Sequence, residues 1–219
     1  MLIHPWDAAV DSGEWQQWLD STDRFGVLAV NNSDPLQAPI VVPTHFTVAG
    51  DDVLIHLARP NPVWAHLEVA GEVRLVVTGD YAFIPGYWRS KDGDPTEKGV
   101  PTSYYATVGF VCRPTIVDDP AAKAAILDAQ LADFQPEGGH VSVAEEPYAR
   151  MLAGIRGLRL VVVRVEAKFK YDDNRPVAQR EKIIDELGSR GRGLDDAVAA
   201  QQQRRVNEIG DWNSGRGRA

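Results

Sequence analysis

The order of the strand-like segments constrains this chain more than any other feature. Four stretches with the content and alternation of strands, "RFGVLAV", "APIVVPTHFTVAG", "DDVLIHLA" and "EVRLVVTGD", follow one another between Arg24 and Asp80. One short helical stretch, "NPVWAHLEVAG", separates the third from the fourth. Two longer strand-like segments, "SYYATVGFVCRPTIV" and "LRLVVVRVEAKFKY", come later. A parallel sheet needs a crossover after each strand, and that alternation is missing. A doubly wound fold is therefore not expected. The pattern predicts a mainly β chain, a small antiparallel barrel with peripheral helices.

Local signals place the helices. Asp11 stands three residues before Glu14, a capping-box spacing that predicts a first helix in "DSGEWQQWLDSTD". Asn61 is the predicted N-cap of the short inter-strand helix, with Pro62 at its first position and Gly71 past its end. Asp119 and Pro120 open a helix over "DDPAAKAAILDAQLADFQ", and further helices are predicted near "EEPYARMLAGI", 177–187 and 194–208. Pro43 lies inside the second strand segment, which predicts an edge, a bulge or a kink there.

Composition narrows the class. With 219 residues, 44% of them hydrophobic, the chain can bury a sizeable core without staples. It has no run of eighteen apolar residues, so no membrane span is expected. The start, "MLIHPWDAAVDSGEW", lacks the basic and apolar regions of a signal peptide. The one cysteine, Cys112, lies in an apolar run and reads as a buried, inert thiol. These features predict a cytoplasmic protein. The net charge of −8 opposes broad binding to nucleic acid. From Gly188 onward, however, six arginines (190, 192, 204, 205, 216 and 218) face four acids. Residues 188–219 are thus read as an Arg-rich, partly helical extension to a domain over 1–187. It is either a solvated tail or a docking arm for a partner chain or a nucleic acid.

Three constellations could carry chemistry. In "HLARPNP", Arg59 precedes a helix start whose free N–H groups favour anions; an anion site and a plain capped helix with a solvent-facing Arg59 both fit. In "RVEAKFKY", period two puts Val161, Val163, Val165, Ala167, Phe169 and Tyr171 on one face and Arg164, Glu166, Lys168 and Lys170 on the other. Those charges either face water or, with Asn174 and Arg175 beyond, offer fixed donors to a phosphate or carbonyl. The aromatics of "YAFIPGYW" and "PTSYY" line either a core, a planar-ligand pocket or an interface. The five histidines lack metal-protease spacing, and His45 and His56 meet only if their strands pair; no metal site is expected. Nucleotide-binding glycine motifs and a nucleophile elbow are absent.

"HLARPNPVW", "AFIPGYW", "GVPTSYYATV" and "EAKFKYDDNR" occur in an order and spacing that resemble PaiB-type proteins over about residues 1–187. These FMN-binding negative transcriptional regulators are related to pyridoxamine phosphate oxidase-like proteins. The resemblance implies an antiparallel split β-barrel of the FMN-binding type and a homodimer holding FMN at its interface. It implicates His56, Ala58, Arg59 and Asn61 near the phosphate, Thr44 and His45 against the flavin, and Tyr104, Tyr105, Lys168, Lys170 and Asn174 from the other two motifs. It leaves open a regulator, with DNA as a partner by analogy, or a flavin-dependent oxidoreductase. A haem- or other tetrapyrrole-binding barrel using His45 or His56, and a ligand-free dimeric interaction protein, are the alternatives. Two segments depart from the family pattern: Ser103-Tyr104-Tyr105, and Tyr171-Asp172-Asp173-Asn174. Two acids beside a phosphate would weaken its binding unless they face away.

Overall fold

Seven strands form in the computed structural model, which describes residues 1–91 and 93–212. They are β1 (Phe25–Val30), β2 (Ile40–His45), β3 (Thr47–Ala49), β4 (Asp52–Ala58), β5 (Val73–Ile84), β6 (Thr102–Val117) and β7 (Ile155–Lys170). One sheet holds them in the order β2-β1-β5-β6-β7-β4-β3. The pairs β1–β2, β1–β5, β3–β4 and β4–β7 all run antiparallel.

The two outer strands of that order, β2 and β3, are consecutive in the chain and separated by Phe46 alone. An open flat sheet cannot satisfy this linkage, so the sheet curls toward closure as a split barrel. The segment "APIVVPTHFTVAG" is therefore two strands rather than the single one its apolar run predicts. Phe46 is fully buried, its ring meets Phe110 edge-on at 6.3 Å, and its N–H donates to the Arg24 carbonyl at 3.0 Å. Turning that side chain into the core makes the backbone exchange one partner strand, β1, for another, β4. Pro43 sits on β2 opposite Val27, at a sheet edge where a missing N–H costs no ladder bond.

The chain divides into two compact units. The first comprises residues 1–22, 78–108 and 167–219. It contains α1 (Ser12–Asp20), α5 (Val177–Arg190) and α6 (Asp195–Ile209), around a core that includes Trp18, Ile84, Tyr104, Phe169, Leu187 and Val198. The Asp11 carboxylate accepts from the Glu14 N–H, and Glu14 reaches back to the Val10 N–H, so the capping signal marks this helix start. The second unit comprises residues 23–77 and 109–166, with α2 (Val63–Leu67), α3 (Pro120–Phe134) and α4 (Tyr148–Met151). Its core includes Leu28, Phe46, Ile55, Leu75, Phe110 and Leu160. Burial pushes the Cys112 thiol up to about 12, which keeps it protonated and unreactive at neutral pH.

Two sequence expectations change. Along β7 the inward parity switches: Leu158 and Leu160 are buried in the first half, Ala167 and Phe169 in the second, and Val161 and Val163 are exposed. A single period-two reading of the whole strand therefore fails. The described part of the segment after Gly188, residues 189–212, is not a solvated tail either. Helix α6 buries Val198, Gln202, Arg205, Val206 and Ile209. Arg190 grips Asp195 through two nitrogens at 2.7 and 2.6 Å, while Arg204 and Arg205 pair with Glu14. Glu14, a long-range partner, takes Arg204 and Arg205, and sequence spacing cannot show such a partner. Arg216 and Arg218 lie outside the described residues.

Candidate functional site

The second unit holds an apolar cavity of about 670 Å³, within the range of small-molecule and cofactor sites. Strand ends and one helix build it. His45 ends β2, opposite Phe25 of β1, and His56 lies on β4 opposite Gly157 of β7. Helix α3 brings Leu127, Gln130, Leu131 and Phe134; Tyr148, Met151 and Ile155 complete the apolar lining. Gly157 permits this packing, because a Cβ there would meet the Ile126 Cδ1 at 2.6 Å and Val117 at 3.1 Å.

Among the polar side chains in the wall, which also include Asp23 and Tyr148, Gln130, His56 and Arg24 are held by partners. Gln130, 4% exposed, donates its Nε2–H to the Leu54 carbonyl at 3.3 Å. That carbonyl can only accept, so the amide orientation is set and its Oε1 faces His56 Nδ1 at 2.6 Å. The neutral His56 imidazole must then carry its proton on Nδ1, which leaves a lone pair on Nε2. The His45 ring packs edge-on to His56 at 5.4 Å and to Phe134 at 5.3 Å. Burial, and then His56, lower the His45 pKa, so this ring is uncharged at neutral pH. Arg24 also lines the cavity, but its guanidinium pairs with Asp133 at 2.6 Å.

A basic cluster adjoins Ile155. Arg59 donates to the Ala153 and Ile155 carbonyls at 3.0 and 3.3 Å and lies 3.4 Å from Asp118. Lys123, 3% exposed, binds the carbonyls of Leu152 and Ile155. Arg156 pairs with Asp118 at 2.7 Å and Glu68 at 3.2 Å, and its guanidinium covers the Trp64 ring. Hydrogen bonds from Arg156 hold the Asp118 carboxyl below the usual carboxylate range. Three cations thus gather around two carboxylates.

The residues singled out in the sequence divide between the units. Thr44, His45, His56, Ala58, Arg59 and Asn61 belong to the second. Of these, the two histidines line the cavity, while Thr44 is buried with its hydroxyl on the His45 carbonyl. The Asn61 Oδ1 accepts from the Val63 N–H at 3.0 Å, but the N-cap of this five-residue helix is Pro62, one residue later than the sequence predicts. The Ala58 carbonyl accepts from the Trp64 indole at 2.9 Å. Arg59 is not simply solvent-facing, since main-chain carbonyls hold two of its nitrogens.

Tyr104, Tyr105, Lys168, Lys170 and Asn174 belong to the first unit. Tyr104 is fully buried, edge-on to Tyr171 at 5.8 Å, and burial raises its pKa well above the ordinary value. The Lys168 and Lys170 ammoniums sit 5.7 and 5.9 Å from the Tyr105 ring centre. Lys168 is buried, donates to the Leu2 carbonyl at 2.9 Å and lies 3.7 Å from Asp7; Lys170 donates to Thr102 at 2.8 Å. Asn174 is exposed. The adjacent acids have partners of their own: Asp172 holds Arg89 at 2.7 Å, and Asp173 holds Arg180 and Arg205. Sequence reasoning missed Lys123 and Gln130. Their signal is two polar residues in register with Ile126 on the buried face of α3.

The sheet order and its ligand-sized cavity define the class: an antiparallel split barrel with peripheral helices. Residues 1–164 match the family model described as "Putative FMN-binding domain". The chain belongs to that FMN-binding family, and a flavin is its cofactor. A curated relative, protease synthase and sporulation protein PAI 2 of Bacillus subtilis, is 20% identical over 147 residues, 65% of each protein. The chain thus spans about two thirds of that relative's length, 65%. Two solved structures share the fold. The flavocytochrome Anf3 of Azotobacter vinelandii has a TM-score of 0.59 at 20% identity, with 75% of this chain and 70% of that one covered. The FAD and heme binding protein of Mycobacterium smegmatis has a TM-score of 0.57 at 21% identity, with 74% and 72% covered. No helix among the described residues is long and apolar enough to cross a membrane.

Proposed function

We propose that the chain is an FMN-dependent oxidoreductase whose flavin ring occupies the second unit's cavity. One observation carries this reading: an apolar cavity with imidazole and amide edges ends at Ile155, where Arg59 and Lys123 gather. A flat ring system fits between Phe25, Phe134 and the Leu127–Leu131 face of α3. A phosphate extending past Ile155 meets Arg59, which exchanges its contact with Asp118 for a stronger charge-assisted bond. When bound, FMN supplies the electron and hydride transfer, and the protein supplies binding, orientation and exclusion of water. The apolar wall limits the approach of water, and His45 and His56 present polar edges.

A regulatory role has less support. The chain is acidic, and Arg190, Arg204 and Arg205 are already engaged in ion pairs. A homodimer fits the exposed apolar residues Phe25 and Val27 of β1 and Val41 of β2, which a second copy would cover. A second reading, haem binding, is favoured by one observation. His56 holds its Nδ1–H on an amide oxygen and keeps Nε2 open, as metal-ligating histidines do. The two structural neighbours named above include a flavocytochrome and a heme binding protein. The test is spectroscopic. Titration with FMN should quench flavin fluorescence at saturable stoichiometry, and a protein that shows no flavin signal overturns the leading reading. Haem addition yielding a Soret band that disappears in His56→Leu would establish the second.

A further inference from the structure

The wall of the cavity is selective in a way that its apolar lining alone does not explain. It carries one hydrogen-bond acceptor whose direction and chemistry are fixed from behind. Gln130 is held by the Leu54 carbonyl, and its oxygen takes the His56 Nδ1–H. His56 therefore meets a ligand as an acceptor through Nε2. His45, beside it, is uncharged. Arg24 is balanced by Asp133, which also accepts from the Thr47 hydroxyl. The cavity thus offers an uncharged ligand an imidazole lone pair, and offers an anionic ring no unbalanced cation.

We propose that His56, locked by Gln130, reads a lactam or imide N–H on the ring that enters this cavity, so that the site selects uncharged planar heterocycles bearing that donor. The inference rests on the reading that a flavin ring occupies the cavity. A flavin presents one such donor, the imide N3–H between its two carbonyls. His56 is then a specificity residue for the ring, and Gln130 a positioning residue that acts through it. Arg59 and Lys123 serve the phosphate separately. Ring recognition and phosphate recognition fall on different elements, β4 with α3 in one case and the 152–156 segment in the other.

That separation makes the test direct. Lumiflavin has the ring and the N3–H but no ribityl phosphate, and 3-methyllumiflavin differs from it only in losing the donor. Flavin fluorescence titrations of the full chain should show lumiflavin binding about tenfold more tightly than 3-methyllumiflavin, the value of one well-made hydrogen bond. In His56→Leu the two should bind alike. In Gln130→Leu the imidazole is free to carry its proton on either nitrogen, so the preference should shrink without disappearing. Equal binding of the two ligands by the unmodified protein overturns the proposal, and this comparison needs no variant to fold. A preference that survives in His56→Leu assigns it to steric exclusion and also overturns the proposal. If FMN binds and lumiflavin does not, the ring is not read at all. If neither binds, the flavin reading of the cavity falls first, and this inference with it.

Discussion

The two units treat polar groups in opposite ways. In the first, charges are buried and satisfy one another: Asp173 bridges Arg180 and Arg205, and Glu14 takes both Arg204 and Arg205. Arg180 and Arg205 are almost wholly buried. In the second, Gln130 is buried and His56 half-buried beside the cavity, and His56 leaves bonding capacity open at Nε2. A network whose valences are filled can hold a structure together but offers a ligand nothing. A fixed but unfilled acceptor in an apolar wall is costly to leave alone and gains from a ligand. On the reading proposed above, the first unit supplies structural integrity and the second supplies recognition.

The sharpest way to break this comparison is Arg205→Ala. Removing one partner leaves Asp173 and Glu14 buried without their shared counter-charge, a loss of about 3–5 kcal/mol. Denaturant unfolding should show it, and a loss below about 1 kcal/mol would mean the network relaxes in water. Next is Arg59→Ala, expected to weaken FMN by about 1.5–3 kcal/mol while lumiflavin affinity stays unchanged. Equal losses for both ligands would place Arg59 at the ring rather than the phosphate. Gly157→Ala should cost about 1–3 kcal/mol of stability, since its Cβ would press on Ile126 and push α3 outward. Flavin affinity should fall with it, because Gln130 rides on that helix.

The smallest effect concerns Glu166, whose carboxyl Arg74 holds down at about 2. Its folded pKa lies below the ordinary 4.5, so its stabilisation is present above about 4.5 and is lost as pH falls toward about 2. The pair is partly exposed, which limits its worth to roughly 1 kcal/mol. Glu166→Gln should lower stability at neutral pH by that amount and flatten the acid limb of the unfolding profile. An unchanged limb would remove the pair from the stability balance.

Much of the fold is written in local chemistry. The caps at Asp11 and Asp119 and Pro43 at an edge act over a few residues, and the structure follows them. The break at Phe46 is invisible because the apolar run continues across it while the partner strand changes. The parity switch in β7 is invisible for a related reason: burial depends on what packs over each half. Lys168 is covered by the N-terminal segment through the Ala8 bridge and the Leu2 carbonyl. At the candidate site, the meeting of His45 and His56 is legible in the short turn between them, although it is β3, and not the β2 strand of His45, that pairs with β4. Gln130 and Lys123 are not legible, because their roles depend on carbonyls of Leu54, Leu152 and Ile155, which carry no signature in residue type.

The bond between Arg205 and Glu14 joins positions 191 residues apart. During synthesis at 5–20 residues per second, Glu14 leaves the ribosome on the order of ten to forty seconds before Arg205 does. Through that interval the N-terminal helix lacks the cations that permit its burial. The second unit, built from residues 23–77 and 109–166, has all its parts in hand sooner. All parts of the second unit are thus synthesised before the last partner of the Arg205–Glu14 pair, and the unit that begins the chain is completed last.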